Sequence, residues 1–468
     1  MGYEWMLTKG KVIPPMDPDF IPPKLANDTF RKKVSEVESA PEVILALERL
    51  NGSISRYSTR VLPESHPLAE ANLFYIERIL KFLLWQKGGW RVYLYAPEHI
   101  TRYLQKVYSP NGTRSFDYKF MGEDVYEREF SLVVCGNKED VPPVNETSYS
   151  LGRHMDGCRV GFDLGASDRK VSAVIDGEVV FSEEKIWEPR KHSDPSYHYN
   201  EIMSAIKTAT SKMPRLDAVG GSSAGVYVNN RVMVASLFRS VPKERFSEVR
   251  EMFIKMGKEL GVPLVVVNDG EVTALAGSMS IGDNAVLGIA MGSSEAGGYV
   301  TPAGTITDWL DELAFAPVDY NPNAPVEEWS GDRGVGANYF SQQCVFRLAP
   351  KANIMIPSDV PDAEKLKYVQ ELLEKGDPNV RKIWETMGVY LGYTLAHYAD
   401  FYDIKHVLIL GRCTSGSGGA VIMEKCLQVL KSEFPDLNER ISVQLPDEKN
   451  RRVGQAIAAA SLPELTKK

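Results

Sequence analysis

Strand-like apolar runs broken by glycine-centred polar turns recur in two matching stretches of this chain. The first, Val160 to Val180 (VGFDLGASDRKVSAVIDGEVV), passes through turns at Gly165 and Gly177. The second, Val286 to Ile306 (VLGIAMGSSEAGGYVTPAGTI), passes through turns at Gly292 and Gly304. Each glycine pair is separated by 127 residues. Short β-rich runs bounded by turn residues predict strands, and Asp176-Gly177 predicts a two-residue hairpin turn. The pattern predicts a duplicated strand–glycine turn–strand unit, an arrangement with which a fold can hold a nucleotide's phosphates from two sides.

The rest of the chain alternates helical and strand patterns. Helical spacing is expected from about Phe30 to Leu50, broken at Pro41, and from His66 to Gln86, where Leu73, Ile76, Ile79, Leu80 and Leu83 share a face. Strands are expected at Arg91–Tyr95 and Phe130–Cys135, with a helix starting at Pro97 between them. KEDVPPVNETS reads as a linker, so residues 1–150 are expected to form a separate α/β module. Further on, strands are expected at Val160–Leu164, Lys170–Ile175, Glu178–Phe181, DAVGG, PLVVVND and HVLILG. Helices are expected at Tyr199–Ser211, Lys243–Leu260, Glu271–Met279, Ala363–Tyr402, Ala420–Leu430 and RRVGQAIAAASL.

Composition narrows the function classes. Of 468 residues, 43% are hydrophobic and 25% charged, as in an ordinary soluble domain protein of two to four domains. A net charge of -8 and the strand following Gly88-Gly89 argue against nucleic-acid binding. No apolar run reaches membrane-spanning length. The opening MGYEWMLTKGKVIPP lacks the apolar core of a secretory signal, and its Met6 breaks the myristoylation pattern. Five scattered cysteines without CxxC spacing suit reduced thiols, so a cytoplasmic location is expected.

Four segments carry candidate chemistry. In FDLGAS, Asp163 ends a strand and could hold Mg²⁺, while Gly165 and Ser167 open the turn to an anion; taken alone, a hairpin with an acidic turn is the simpler reading. In MGSSEAGG, Gly292, Ser293 and Ser294 suit phosphates, or a surface loop. Asn268 and Asp269 stand where a buried strand meets a helix, as an N-cap or as a general base with its neighbour. Gly411 and Gly416 in LILGRCTSGSGG could lie under an adenosine, or simply connect a strand to a helix. HSDPSYH could be drawn as a metal cluster, but Asp194-Pro195 at a helix start explains it better.

In order and content these segments resemble the ROK (repressor–ORF–kinase) family of the sugar kinase/Hsp70/actin superfamily, over about residues 159–462. The resemblance implies an α/β fold of two actin-like (ribonuclease H-like) lobes, 151–270 and 271–468, with the last helix returning to the first lobe and an additional N-terminal α/β module. It implies an ATP- and Mg²⁺-dependent kinase acting on a hydroxyl of a small sugar-like acceptor. Asp269 would be the catalytic base. Asp163, Gly165, Ser167, Gly292, Ser293, Ser294, Gly411 and Gly416 would bind nucleotide and metal, and Asn268, Ser223, Gly225 and Glu312 the acceptor. Two departures stand out. ELAF, Glu312 to Phe315, carries Phe where the family's E-x-G-H has His, and WSGDRGVGANYFSQQC replaces the family's cysteine-rich loop, so no zinc site is expected. A non-catalytic sensor or scaffold is the alternative. The expected partner is a small molecule, with neither nucleic acid nor membrane, and a homodimer is left open.

Overall fold

Both copies of the glycine-centred repeat form hairpins. The computed structural model describes residues 2–146, 148–149, 151–166, 168–446 and 448–465. In it the first copy is strands Cys158–Leu164, Asp168–Ile175 and Glu178–Ile186, and the second is Val286–Met291, Glu295–Val300 and Ile306–Thr307. The second turns of the two copies hold Gly177 and Gly304 at φ of 88° and 77°, a region where a Cβ is unfavourable. The architecture is mixed α/β, and the chain divides into two units.

One unit comprises 148–288, 298–308 and 446–468. Its five-stranded sheet has the order Leu264–Asn268, Ala218–Ser223, Cys158–Leu164, Asp168–Ile175, Glu178–Ile186. The first three run parallel and the last two antiparallel. Val160, Phe162, Val219 and Val266 bury one face under Ile202, Ile206, Phe253 and Met256, at roughly 2 kcal/mol for each large side chain removed from water. Helix Glu448–Ala460 packs against strands Cys158–Leu164 and Ala218–Ser223. A methyl on Gly220 would land on the Ala459 carbonyl, and one on Gly161 on the Ala456 carbonyl. Glycine is therefore what lets this helix backbone reach the sheet. A short hairpin, Val226–Val228 with Arg231–Val234, turns through Asn229 and Asn230 at positive φ. The Asn230 side chain ties it to the Leu264 carbonyl and the Val266 N–H.

The other unit comprises 1–147, 289–297 and 309–445. A four-stranded sheet has the order Ile54–Arg60, Glu42–Glu48, Arg91–Tyr95, Ser131–Val134. Strands Ser442–Gln444 and His406–Leu410 pair in parallel, and the latter neighbours 289–291. Helices Ala71–Lys87 and Pro378–Tyr398 are buried on nearly every face. Among the described residues, no helix is long and apolar enough to cross a membrane.

Three helical expectations change. Phe30–Leu50 is not one broken helix: helix Pro23–Ser35 ends first, and Glu42–Glu48 is a strand. Its run Val43 to Leu47 is buried at every position: Ile44 and Ala46 pack with Val141, Tyr93 and Tyr95, and helix Ala71–Lys87 lies against the same strand. A strand covered on both faces takes a continuous apolar run. Lys243–Leu260 is a 3₁₀ turn followed by Phe246–Arg250 and Met252–Leu260. Ala363–Tyr402 is two helices, Asp362–Glu374 and Pro378–Tyr398, divided at Gly376 (φ 82°) and Pro378, which cannot donate to the preceding turn.

Candidate functional site

The candidate residues fall on both units, and each set forms its own arrangement. In the unit built on 148–288, three parallel strands end side by side. Asp163 pairs in register with Ser222 and Leu164 with Ser223, and Ser223 pairs with Asn268. The carboxyl ends of parallel strands are where ligands collect in open α/β sheets.

Ser222 Oγ donates to Asp163 Oδ1 at 2.7 Å, and Lys170 Nζ stands 3.9 Å from Asp163 Oδ2. Asn268 caps helix Asp269–Ile281: its Oδ1 accepts from the Gly270 N–H and its Nδ2 donates to the Gly225 carbonyl, both at 2.7 Å. Capping thus fixes the Asn268 amide and draws in the loop at Gly225, leaving its second N–H for another partner. Asp269 opens the helix, its Oδ1 accepting from the Gly270 N–H at 3.1 Å. Burial, and next the negative charge of Asp163, pushes the Asp269 carboxyl from an ordinary 3.8 up to about 6. Ser223 is buried and accepts a hydrogen bond from the Tyr227 hydroxyl at 2.6 Å. Tyr227, four residues on in the next strand, was not foreseen, because the strand pattern does not say that the chain turns back so as to bring its hydroxyl onto Ser223.

The Gly165 N–H donates to the Asp168 carbonyl at 2.9 Å, and Trp187 Nε1 donates to the Gly165 carbonyl at 2.8 Å. Its amide closes the turn, so what Gly165 offers a ligand is absence of bulk. Ser167 lies outside the described residues. Asp163 and Asp269 are two carboxylates of which one raises the proton affinity of the other, a tension that a divalent cation relieves. This donor pair fits Mg²⁺, which takes one or two carboxylates and keeps waters. Among the described residues, no group of three or more His, Cys, Asp or Glu could hold a metal within the protein alone. In HSDPSYH, Asp194 caps helix Pro195–Thr210 by accepting the Ser196 N–H at 3.0 Å. His198 is buried with Nε2 2.9 Å from the Pro189 carbonyl, and His192 stacks on Tyr197.

In the other unit, the Gly292 N–H donates to the Ser294 carbonyl at 3.0 Å, closing the second turn much as Gly165 closes the first. Ser293 and Ser294 are exposed. Gly411 and Gly416 lie in the loop before helix Gly418–Glu433. There Glu374 accepts the Ser417 N–H at 2.7 Å. Glu312 is half-buried, and its N–H donates to the Trp85 carbonyl at 3.0 Å. Phe315 is buried against Trp85, Trp329 and Phe116, with ring centroids 4.6, 5.3 and 6.0 Å away. The sequence pattern also missed Glu295. It is buried beside Tyr398, and burial pushes it up to about 8 against the lowering effect of the Tyr398 hydroxyl. Its carboxylate abuts Gly336, where any side chain would displace it.

No family model matches the sequence, and no curated protein matches it. Solved structures do match. A ROK hexokinase from Thermus thermophilus is 18% identical, with 64% of this chain and 97% of that one covered at a TM-score of 0.50. A ROK-family transcriptional regulator, a homologue of the E. coli MLC protein, is 15% identical, with 66% and 79% covered at 0.52. A ROK-family glucokinase from Streptomyces griseus, in complex with glucose and AMPPNP, is 18% identical, with 65% and 99% covered at 0.48. At these identities the likeness is one of fold. Over roughly two thirds of its length, this chain has the fold of the ROK proteins, with a further segment outside the match.

Proposed function

We propose that the chain is an ATP-dependent phosphotransferase acting on a hydroxyl of a small sugar-like acceptor, with Asp269 as general base. The observation that supports this most is the meeting of Asp163, Ser222, Ser223, Asn268 and Asp269 at the ends of three neighbouring strands. A carboxyl raised to about 6 is ionised at pH 7 yet more basic than an ordinary aspartate, which is what proton abstraction near neutrality asks for.

In this reading Asp269 accepts the proton of the attacking hydroxyl as its oxygen bonds to the γ-phosphorus and the bridge to ADP breaks. Asn268, locked by its two hydrogen bonds, turns its remaining N–H to the acceptor. Ser222 holds the Asp163 carboxylate in place for Mg²⁺, which, when bound, neutralises phosphate charge. ADP release against a panel of sugars, amino sugars and polyols tests the reading. Asp269→Asn should lower turnover by about 10²–10⁴ and leave ATP affinity nearly intact; unchanged turnover refutes the base assignment.

One observation favours a second reading, a non-catalytic sensor. Phe315 is enclosed by aromatic rings and offers no hydrogen bond where the resembling family has a histidine. A full panel without turnover, with ATP still raising the melting temperature, would favour the sensor.

A further inference from the structure

Beyond Gly225 the acceptor side of the candidate site runs into a turn that has no role so far. The Gly225 carbonyl is held by Asn268, and Ala235 backs the same residue: a methyl on Gly225 would fall 2.5 Å from the Val234 carbonyl oxygen and 2.6 Å from Ala235 Cβ. Ala235 leads into the 3₁₀ turn Ser236–Phe238, one Cα step of about 3.8 Å further on. The Arg239 N–H closes that turn on the Ser236 carbonyl at 3.4 Å.

A second segment is fastened to this turn. Pro189–Lys191 lies between strand Glu178–Ile186 and helix Pro195–Thr210. From it Arg190 Nη2 donates to Ser236 Oγ at 3.0 Å, and the Ser240 hydroxyl donates to the Arg190 carbonyl. Arg239 stands between those two anchors in sequence, so both guanidinium groups are brought to one place beside Gly225.

The pair has no counter-charge. Burial, and next the charge of Arg239, hold the Arg190 guanidinium below its usual proton affinity, and no carboxylate offsets them. Glu188, next to the turn, is paired with Lys191, and among the described residues neither arginine forms an ion pair. A fully solvated arginine needs no partner, but Arg190 is half-buried and its Nε is enclosed without an acceptor. Since Nε is shut away, a ligand would meet the Nη edge. Two like charges held together at a partly desolvated place are relieved by an anion, and the planar fork of arginine matches the oxygens of a carboxylate or a phosphate.

We infer that the acceptor is an acid: a sugar or polyol bearing a carboxylate or a phosphate ester. Its reacting hydroxyl lies toward Asn268 and Asp269, and its acid group is taken by the Nη edge of Arg190 and by Arg239. The inference rests on the acceptor lying at Asn268 and Gly225, as in the function proposed above, and adds the charge of that acceptor.

Calorimetry on the full chain compares glucuronate, galacturonate and glucose 6-phosphate with glucose, galactose, acetate and inorganic phosphate. At least one sugar acid should bind about tenfold or more tightly than its neutral parent and than either small anion; whether a uronate or the phosphate ester does so tells which acid is read. Arg239→Ala, at an exposed position, should fold normally and lower the ratio of acid to neutral affinity about tenfold. Arg190→Ala should lower it as well, and Arg190→Lys, which keeps the charge, should recover part. No binding by any sugar acid, equal binding of acid and neutral parent, a small anion that binds as well as the sugar acid, or a ratio unchanged within about twofold in Arg239→Ala overturns the inference. ADP release on the same samples separates it from phosphotransfer. A neutral sugar turned over in preference to every acid keeps the kinase and removes the acid acceptor, whereas tight acid binding without turnover keeps the acid site and removes the kinase.

Discussion

Replacing Asp269 by Asn tests the electrostatics of the candidate site more sharply than loss of activity does. The carboxyl lies at about 6 in the folded chain against an ordinary 3.8. Below 3.8 it is protonated whether the chain is folded or not, and it costs nothing. Between 3.8 and about 6 the unfolded chain releases its proton first, so stability falls as pH rises. Above about 6 the loss is constant. Two units correspond to about 3 kcal/mol at 1.36 kcal/mol each, and the residue's partial contact with water reduces this to about 1.5–3 kcal/mol. Asn keeps the shape and can still accept the Gly270 N–H, but it carries no charge. Asp269→Asn should therefore be more stable than the natural chain by that amount at pH 7, and no more stable at pH 3.5. Urea unfolding at pH 3.5, 5, 7 and 8 measures it, beside ADP release on the same samples. A variant less stable at pH 7, or a gain that does not change with pH, would refute the claim that burial and Asp163 strain this carboxylate. A variant more stable and still active would keep the electrostatics and remove the base.

Three further outcomes are expected. Gly220→Ala drives a methyl into the Ala459 carbonyl and should cost about 3 kcal/mol or more, read as a drop in urea midpoint. Lys81 is buried between Asp117 at 2.8 Å and Asp332 at 3.1 Å; Lys81→Met leaves Asp332 paired with Arg114 at 2.6 Å but leaves Asp117 with the Trp85 N–H and no cation, and should cost about 3–5 kcal/mol, with Asp117→Asn in the same chain recovering part of it. Glu295, pushed up to about 8, penalises folding increasingly from pH 4.5 to 8, so Glu295→Gln should gain stability across that range and level off beyond it; a constant difference between pH 4 and 9 would contradict this.

Much of the candidate site was legible because it is local. Strand-forming runs ending in Asp163 and in Asn268-Asp269 mark strand ends from their own neighbours, and Gly177 and Gly304 announce turns by the one conformation that other residues resist. The 127-residue offset added a long-range inference that needed no contacts, only repetition. What burial, charge and packing do to those residues was not legible. The raised affinity of Asp269 for its proton depends on Asp163, more than a hundred residues earlier. The Asn268 amide bonds to Gly225, and the Ser223 hydroxyl to Tyr227.

The sequence by itself determined the turns, the caps and the strand ends on which the chemistry stands, since these follow from backbone preferences within a few residues. Only the tertiary structure decided that EVILALE is a central strand, that Phe315 belongs to an aromatic cluster with Trp85 and Trp329, and that Glu295 is buried. Each of those depends on which distant segment covers a side chain, and burial is a property of the neighbours a residue acquires on folding.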